Sequence, residues 1–438
     1  MMFLKKITGK IKTAAALRLL RWAARTDRPG LAASVMTRVA WRVPERPRTR
    51  APGVLCLGRT IFNDDIKALA KYSGRLEYIV VHLQYFEQIF QPFFTKHQLA
   101  AMSELNYHVD RATASSKQRL ANFWRRLLPL LQKHMGIAAV MTGNFAYVVQ
   151  QELQAVCAEQ GLPFFVLHKE GFVGFGGADY GRDYVAGYKN TPFTGTKIFF
   201  YNETAKASFL DAGIPGFTED KMEVVGVPRL DAYFAAEPFA PAERQIAFFS
   251  FYVKDRFHYL ENNPELTEQI AKRAADFHRW VMELAARHPE IRVVIKTKSA
   301  GQYLEYVQNI RHDAGADGLA NLVITNAASV ESLIKNSQVI LGSNSTTLVE
   351  ALIAGKPIVA ADFSDLLPER SQDFLRGYPD LVNTAHSSAD LERLAAGGEA
   401  KFSVSRLQEF LREFIFRFDG QASQRVEQGI LSELDSNH

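Results

Sequence analysis

From residue 53 onward, short apolar runs alternate with segments of helical periodicity. Residues 53–58, 76–83, 137–141, 164–167, 197–201 and 222–225 are brief, nearly continuous apolar runs, the pattern of buried strands. Between them, residues 63–72, 115–135, 145–160 and 203–212 carry apolar positions at three- and four-residue spacing, which predicts helices, the first capped by Asn63 or Asp64. The rhythm resumes after residue 244, with strands expected at 245–251, 291–295 and 322–324 and helices at 266–287, 304–311 and 329–336. Two further helices, 407–418 and 423–434, close the chain. Strand–helix–strand alternation implies mostly parallel sheets with helices on both faces, so the fold class expected is α/β.

Residues 339–365 carry the most chemistry. A buried strand ends at Gly342, and the small polar turn Ser343-Asn344-Ser345-Thr346-Thr347 leads at once into a helix. Gly355-Lys356-Pro357 stops that helix, and a second buried strand follows. The unpaired N–H groups of the first helical turn and the positive end of its dipole favour an anion such as a diphosphate. A plain strand–helix connection is the alternative.

Three stretches interrupt the alternation. Residues 171–195 form a glycine- and aromatic-rich loop after a strand end, and 235–242 (Ala-Ala-Glu-Pro-Phe-Ala-Pro-Ala) reads as a hinge. The third is the N-terminus. Phe3, Leu4, Ile7, Ile11, Ala14 and Ala15 share one face of a helix over residues 2–16, with Lys5, Lys6 and Lys12 opposite. Beyond residue 16, Arg18 and Arg25 rotate into the apolar face, while Trp22 remains a candidate interfacial anchor. Pro44, Pro47 and Pro52 mark a linker. The domains expected are a basic leader and linker at 1–51, an N-terminal α/β domain at 52–238, a second at 239–405, and terminal helices at 406–438.

Charge sharpens the picture of the leader. The first fifty residues hold 13 Lys and Arg against two acids, a net of +11, whereas the remainder holds 39 basic and 45 acidic residues, a net of −6. A mildly acidic body argues against nucleic acid as partner, and a basic amphipathic end argues for an anionic membrane surface contacted through residues 1–25. A solvated helix packed on its own domain is the alternative. No apolar run reaches the length of a membrane span, and the basic interruptions exclude a clean secretory signal. Cys56 and Cys157 are the two cysteines, without metal-ligand spacing. They imply a reducing compartment and no disulfide framework.

Three motifs occur in order: Tyr201-Asn202-Glu203 with Gly226-Val227-Pro228-Arg229-Leu230-Asp231; Gly342 to Thr347 with Glu350-Ala351 and Gly355-Lys356-Pro357; and Asp419-Gly420-Gln421-Ala422-Ser423-Gln424-Arg425-Val426. Across about residues 137–434 this set resembles the GT-B glycosyltransferases that build bacterial capsule and lipopolysaccharide, and the related CDP-glycerol glycerophosphotransferases. The resemblance implies two Rossmann-like domains facing a cleft, with the nucleotide-sugar donor held by the second. It also implies no resident cofactor and no metal. Lys296-Thr297-Lys298 stands where the glycerophosphotransferases usually have His-Pro, which favours a sugar donor over CDP-glycerol.

A diphosphate leaving group needs its developing charge neutralised. Gly342, Ser343, Asn344, Ser345, Thr346 and Thr347 would supply hydrogen-bond donors, and Lys296 or Lys298, past a strand end, would reach phosphate unless both are solvated surface lysines. By resemblance Glu350 would hold the ribose. Arg229 suits a phosphate or an acceptor carboxylate, with a turn-fixing pair to Asp231 as the alternative. His168 and Glu170, which open the glycine-rich loop, are rival general bases, and Asn144 is placed to bind an acceptor sugar. The acceptor implied is a lipid-linked or polymeric glycan, handled by a cytoplasmic protein peripheral to the inner face of the membrane. A nucleotide-sugar 2-epimerase and a non-catalytic component of a polysaccharide assembly complex are the other readings.

Overall fold

The computed structural model describes residues 2–43, 51–170, 185–234, 244–251, 263–298, 301–343, 345–366 and 378–436. The chain forms two compact units, one built from residues 1–173, 177–231 and 413–438 and the other centred on Ala232–Arg412. The glycine-rich stretch up to residue 184, the expected hinge at 235–242 and Asn344 lie outside the described residues.

The first unit carries a seven-stranded sheet among the described residues. Its strands are β1 (Trp41–Val43), β2 (Gly53–Gly58), β3 (Glu77–His82), β4 (Ile137–Thr142), β5 (Phe164–Leu167), β6 (Lys197–Phe200) and β7 (Met222–Val224). Their spatial order is β1-β3-β2-β4-β5-β6-β7, parallel except for β1, which pairs antiparallel with β3 through Trp41↔Val80. The connections reverse direction between β2 and β4, so the ends of those strands, Gly58 and Thr142, flank the crevice where α/β sheets bind ligands.

Among the described residues the second unit carries six parallel strands: β8 (Gln245–Phe249), β9 (Arg292–Lys296), β10 (Leu322–Thr325), β11 (Val339–Gly342), β12 (Ile358–Ala361) and β13 (Asn383–Ala385). Their order is β10-β9-β8-β11-β12-β13, the doubly wound Rossmann arrangement. Here the switch point lies between β8 and β11, which pair through Leu341↔Phe248. The long helix Pro264–Arg287 covers the sheet with Ile270, Ala274, Phe277 and Val281, whose spacing lines one helical face.

Several helices differ from the sequence expectation. Helix Thr60–Tyr72 begins three residues early, with Arg59 at its N-cap, and Asp65 within it is fully buried. Residues 145–160 form a turn, a short 3-10 segment and the helix Gln151–Glu159. The segment expected to be leader and linker holds two helices, Met2–Arg25 and Pro29–Val39, followed by β1. Leu20, Ala23, Ala24, Ala32, Ala33 and Met36 join the core of the first unit.

The last residues return to the first unit. Asp231 accepts hydrogen bonds from Ala422 N (3.1 Å) and Ser423 N (2.8 Å), capping the helix Ala422–Ser436. Arg425 pairs with Asp419 and donates from Nε to the Val225 carbonyl (2.8 Å), while Asn202 donates to the Phe414 carbonyl (3.0 Å). Gly226 permits this closure. Its φ is +84°, a left-handed backbone conformation that a residue with a side chain rarely adopts. The first and third motifs are therefore two sides of one structural lock.

Candidate functional site

In the second unit, β11 ends at Gly342 beside the end of β8, and the helix Thr346–Ile353 starts four residues later. A β-carbon on Gly342 would lie 2.9 Å from Leu348 Cδ2, so the glycine lets the helix close tightly over the strand end. Ser345 is the N-cap. Its Oγ accepts from Thr347 N (3.4 Å) and lies 3.3 Å from Thr347 Oγ1. Ser343 is buried, whereas Ser345, Thr346 and Thr347 are half-buried. The turn thus sets a helix N-terminus, with the Ser345 and Thr347 hydroxyls, at the switch point; a helix dipole end of this kind favours an anion.

Glu350 sits one turn further along the helix, half-buried, and accepts a hydrogen bond from the Tyr233 hydroxyl (3.1 Å). Tyr233 is steadied by Lys335, whose Nζ lies 5.8 Å from the ring centroid and donates to the Ala232 carbonyl (3.2 Å). At the end of β9, Lys296 donates to the carbonyls of Thr297 (2.8 Å) and Asn326 (3.2 Å), and exposed Lys298 lies over the Tyr303 ring. Lys296 therefore braces the strand edge.

One residue past β8, the Ser250 hydroxyl meets His278 Nε2 at 2.8 Å. His278 Nδ1 lies 2.7 Å from the Ala274 carbonyl, which can only accept. The proton therefore sits on Nδ1, and Nε2 accepts from Ser250. Burial lowers the His278 pKa to about 4, with the bond to Ala274 acting in the opposite direction.

In the first unit, the turn after β4 is closed by its own side chains. Asn144 is buried, and its Oδ1 accepts from Ala146 N (2.8 Å) while its carbonyl accepts from Gln150. Its polar side chain shapes the turn. His168 follows β5 and is also buried. It lies 5.0 Å from Phe209, 5.8 Å from Phe200 and 6.2 Å from Phe145, measured between ring centroids. Neither ring nitrogen has a hydrogen-bond partner among the described residues. Burial lowers its pKa to about 4, against the opposing pull of Glu170. A neutral ring closed off by aromatics is not placed to take a proton from a substrate. Glu170 is exposed and ion-paired with Lys169.

Arg229 does not pair with Asp231. Its Nη1 donates to both Asp65 oxygens (3.3 and 3.4 Å) and to the Tyr201 hydroxyl (3.0 Å), and Tyr201 in turn donates to Asp65 (2.7 Å). Burial raises the Asp65 pKa, and Arg229 and Tyr201 oppose that shift. Among the described residues, no group of three or more His, Cys, Asp or Glu side chains could hold a metal ion.

No protein-family model matches the sequence, and no curated protein does either. Solved structures do match. A Listeria monocytogenes protein given the provisional name UDP-N-acetylglucosamine 2-epimerase aligns with a TM-score of 0.53 at 12% identity, covering 89% of this chain and 98% of its own. The chain has the GT-B fold. Other matches are the UDP-N-acetylglucosamine 2-epimerase of Neisseria meningitidis (TM-score 0.48, 14% identity, 87% of this chain and 99% of that one) and the trehalose 6-phosphate synthase of Burkholderia multivorans (0.43, 13%, 89% and 99%).

Within this GT-B chain the structure brings together Gly342, Ser343, Ser345, Thr346, Thr347 and Glu350 on one strand–helix junction. Lys296 and Lys298 stand two strands away, past the end of β9. His168, Glu170, Asn144 and Arg229 belong to the first unit. Three contributors carried no sequence signal of their own. Asp65 is 164 residues from Arg229, His278 is 28 from Ser250, and Tyr233 falls two residues past the end of its motif.

Proposed function

We propose that the protein is a GT-B glycosyltransferase that takes a sugar from a nucleotide donor and passes it to a lipid-linked or polymeric glycan of the bacterial surface. The observation that carries this reading is the junction at the switch point of the second sheet. There a capped helix N-terminus and a carboxylate fixed by Tyr233 stand one helical turn apart. Helix N–H groups and the Ser345, Thr346 and Thr347 hydroxyls would neutralise the departing diphosphate, and Glu350 would accept hydrogen bonds from ribose hydroxyls. The bond between the sugar's anomeric carbon and the diphosphate oxygen breaks, and an acceptor hydroxyl forms the new one. The acceptor hydroxyl gives up its proton to a general base.

The reading places the protein at the cytoplasmic face of a membrane. No described helix is long and apolar enough to cross one, and the positive charge is concentrated at the N-terminus. A nucleotide-sugar 2-epimerase is the second reading, favoured by the fold match to the Listeria protein of that name. A thermal-shift panel of UDP-, CMP-, GDP-, CDP- and dTDP-linked sugars tests both, because ligand bound to the folded state raises the melting temperature. We expect one nucleotide class to stabilise the protein and no epimerised sugar to form without acceptor. Epimerised product without acceptor selects the second reading, and no stabilisation by any donor removes both.

A further inference from the structure

The helix Met2–Arg25 has two faces of different character. Leu20, Ala23 and Ala24 are buried in the first unit, and Arg21 Nη2 donates to Gln91 Oε1 (2.7 Å), so this end of the helix is fastened to the body. Arg18, Leu19, Trp22 and Arg25 lie on the opposite side, together with Ala14 and Ala15, at the three- and four-residue steps that align one helical face. Leu19 is 37% exposed and Trp22 is 44% exposed, high values for large apolar side chains. The Arg28 guanidinium lies 4.7 Å from the Trp22 ring centroid.

The geometry points to this outward face as a docking surface for an anionic lipid bilayer, with Leu19 and Trp22 entering the interface and Arg18, Arg25 and Arg28 reaching lipid phosphates. It deepens the membrane part of the function proposed above by naming the face that makes contact. Two observations select a bilayer over a soluble polyanion. The centre of the face is an aliphatic and an indole side chain, which a nucleic acid backbone does not require and a lipid interface accommodates. The charge is also complementary: the first fifty residues carry net +11 while the remainder carries −6, so an anionic surface attracts this end and repels the rest. Ala14 and Ala15, the last members of the apolar sequence stripe that begins at Phe3, are exposed and lead directly into this face. Because the helix end is fastened to the first unit, docking would also fix that unit's orientation to the lipid.

The test is co-sedimentation of the full chain with phosphatidylcholine vesicles and with mixed phosphatidylcholine–phosphatidylglycerol vesicles. Wild type, the Leu19→Ser/Trp22→Ser pair and the Arg18→Glu/Arg25→Glu pair are compared. We expect binding to the mixed vesicles only, falling with salt, and weakened by about tenfold or more in each double variant. Because the four side chains are exposed, melting temperature and UDP binding should match wild type, which separates loss of docking from misfolding and from failure of the donor-site reading. Equal binding to both vesicle types, or retention by both variants, overturns the proposal. So does tighter binding to a short DNA duplex that survives the Leu19→Ser/Trp22→Ser change.

Discussion

At the scale of single residues, burial decides which candidates can act. His168 and His278 are both neutral in the folded protein, with pKa values near 4, whereas an unfolded histidine takes up its proton near 6.5. Between those values the unfolded chain binds more protons than the folded one, so stability is full above about pH 6.5 and is lost as pH falls towards 4. Shifts of this size correspond to about 3 kcal/mol for each ring. Replacing His168 with Phe should therefore flatten the acid side of a stability–pH profile measured by chemical denaturation. At neutral pH it should leave the melting temperature unchanged or higher, since it removes two ring nitrogens that have no partner among the described residues. It should also leave turnover intact; a loss of turnover with normal stability would restore His168 as the base. Its position after a strand end made it look accessible in the sequence. The rings that enclose it come from a turn, a neighbouring strand and a helix, which no local pattern connects.

At the scale of elements, the two outer motifs of the sequence have structural work. Asp231 caps the helix Ala422–Ser436, and Asp231→Ala should cost about 1–2 kcal/mol and speed amide exchange in that helix. UDP affinity should stay within about twofold, because a cap acts on the stability of the helix it begins. A matching loss of UDP affinity would show that the lock also serves the donor site. The strand–turn–helix at 339–353 was legible because each signal is local: a buried apolar run, a glycine at the strand end, a capping serine and Gly355-Lys356-Pro357 at the stop. Residues 29–43 were not, because their helix is short and β1 is a three-residue edge strand of Trp, Arg and Val, formed only by pairing with β3. The helix start at Thr60 was missed for a related reason. Asn63 and Asp64 have capping chemistry, yet Arg59 takes the cap position without a side-chain hydrogen bond.

At the scale of the whole molecule, both α/β units and their parallel sheets were legible in the alternation of apolar runs, and the fold match supports the GT-B architecture. Strand order was not legible, and it is what sets the strand end at Gly342 at a switch point of the sheet. We propose that this junction binds a nucleotide diphosphate, with Glu350 on the ribose. The decisive experiment is calorimetric titration of the full chain with UDP, wild type beside Glu350→Gln. We expect measurable UDP binding by wild type and affinity about tenfold weaker in the variant, the usual effect of weakening a hydrogen bond to a charged group. UDP binding of equal strength in both proteins, or no binding of UDP, GDP, CDP or dTDP by wild type, would contradict it.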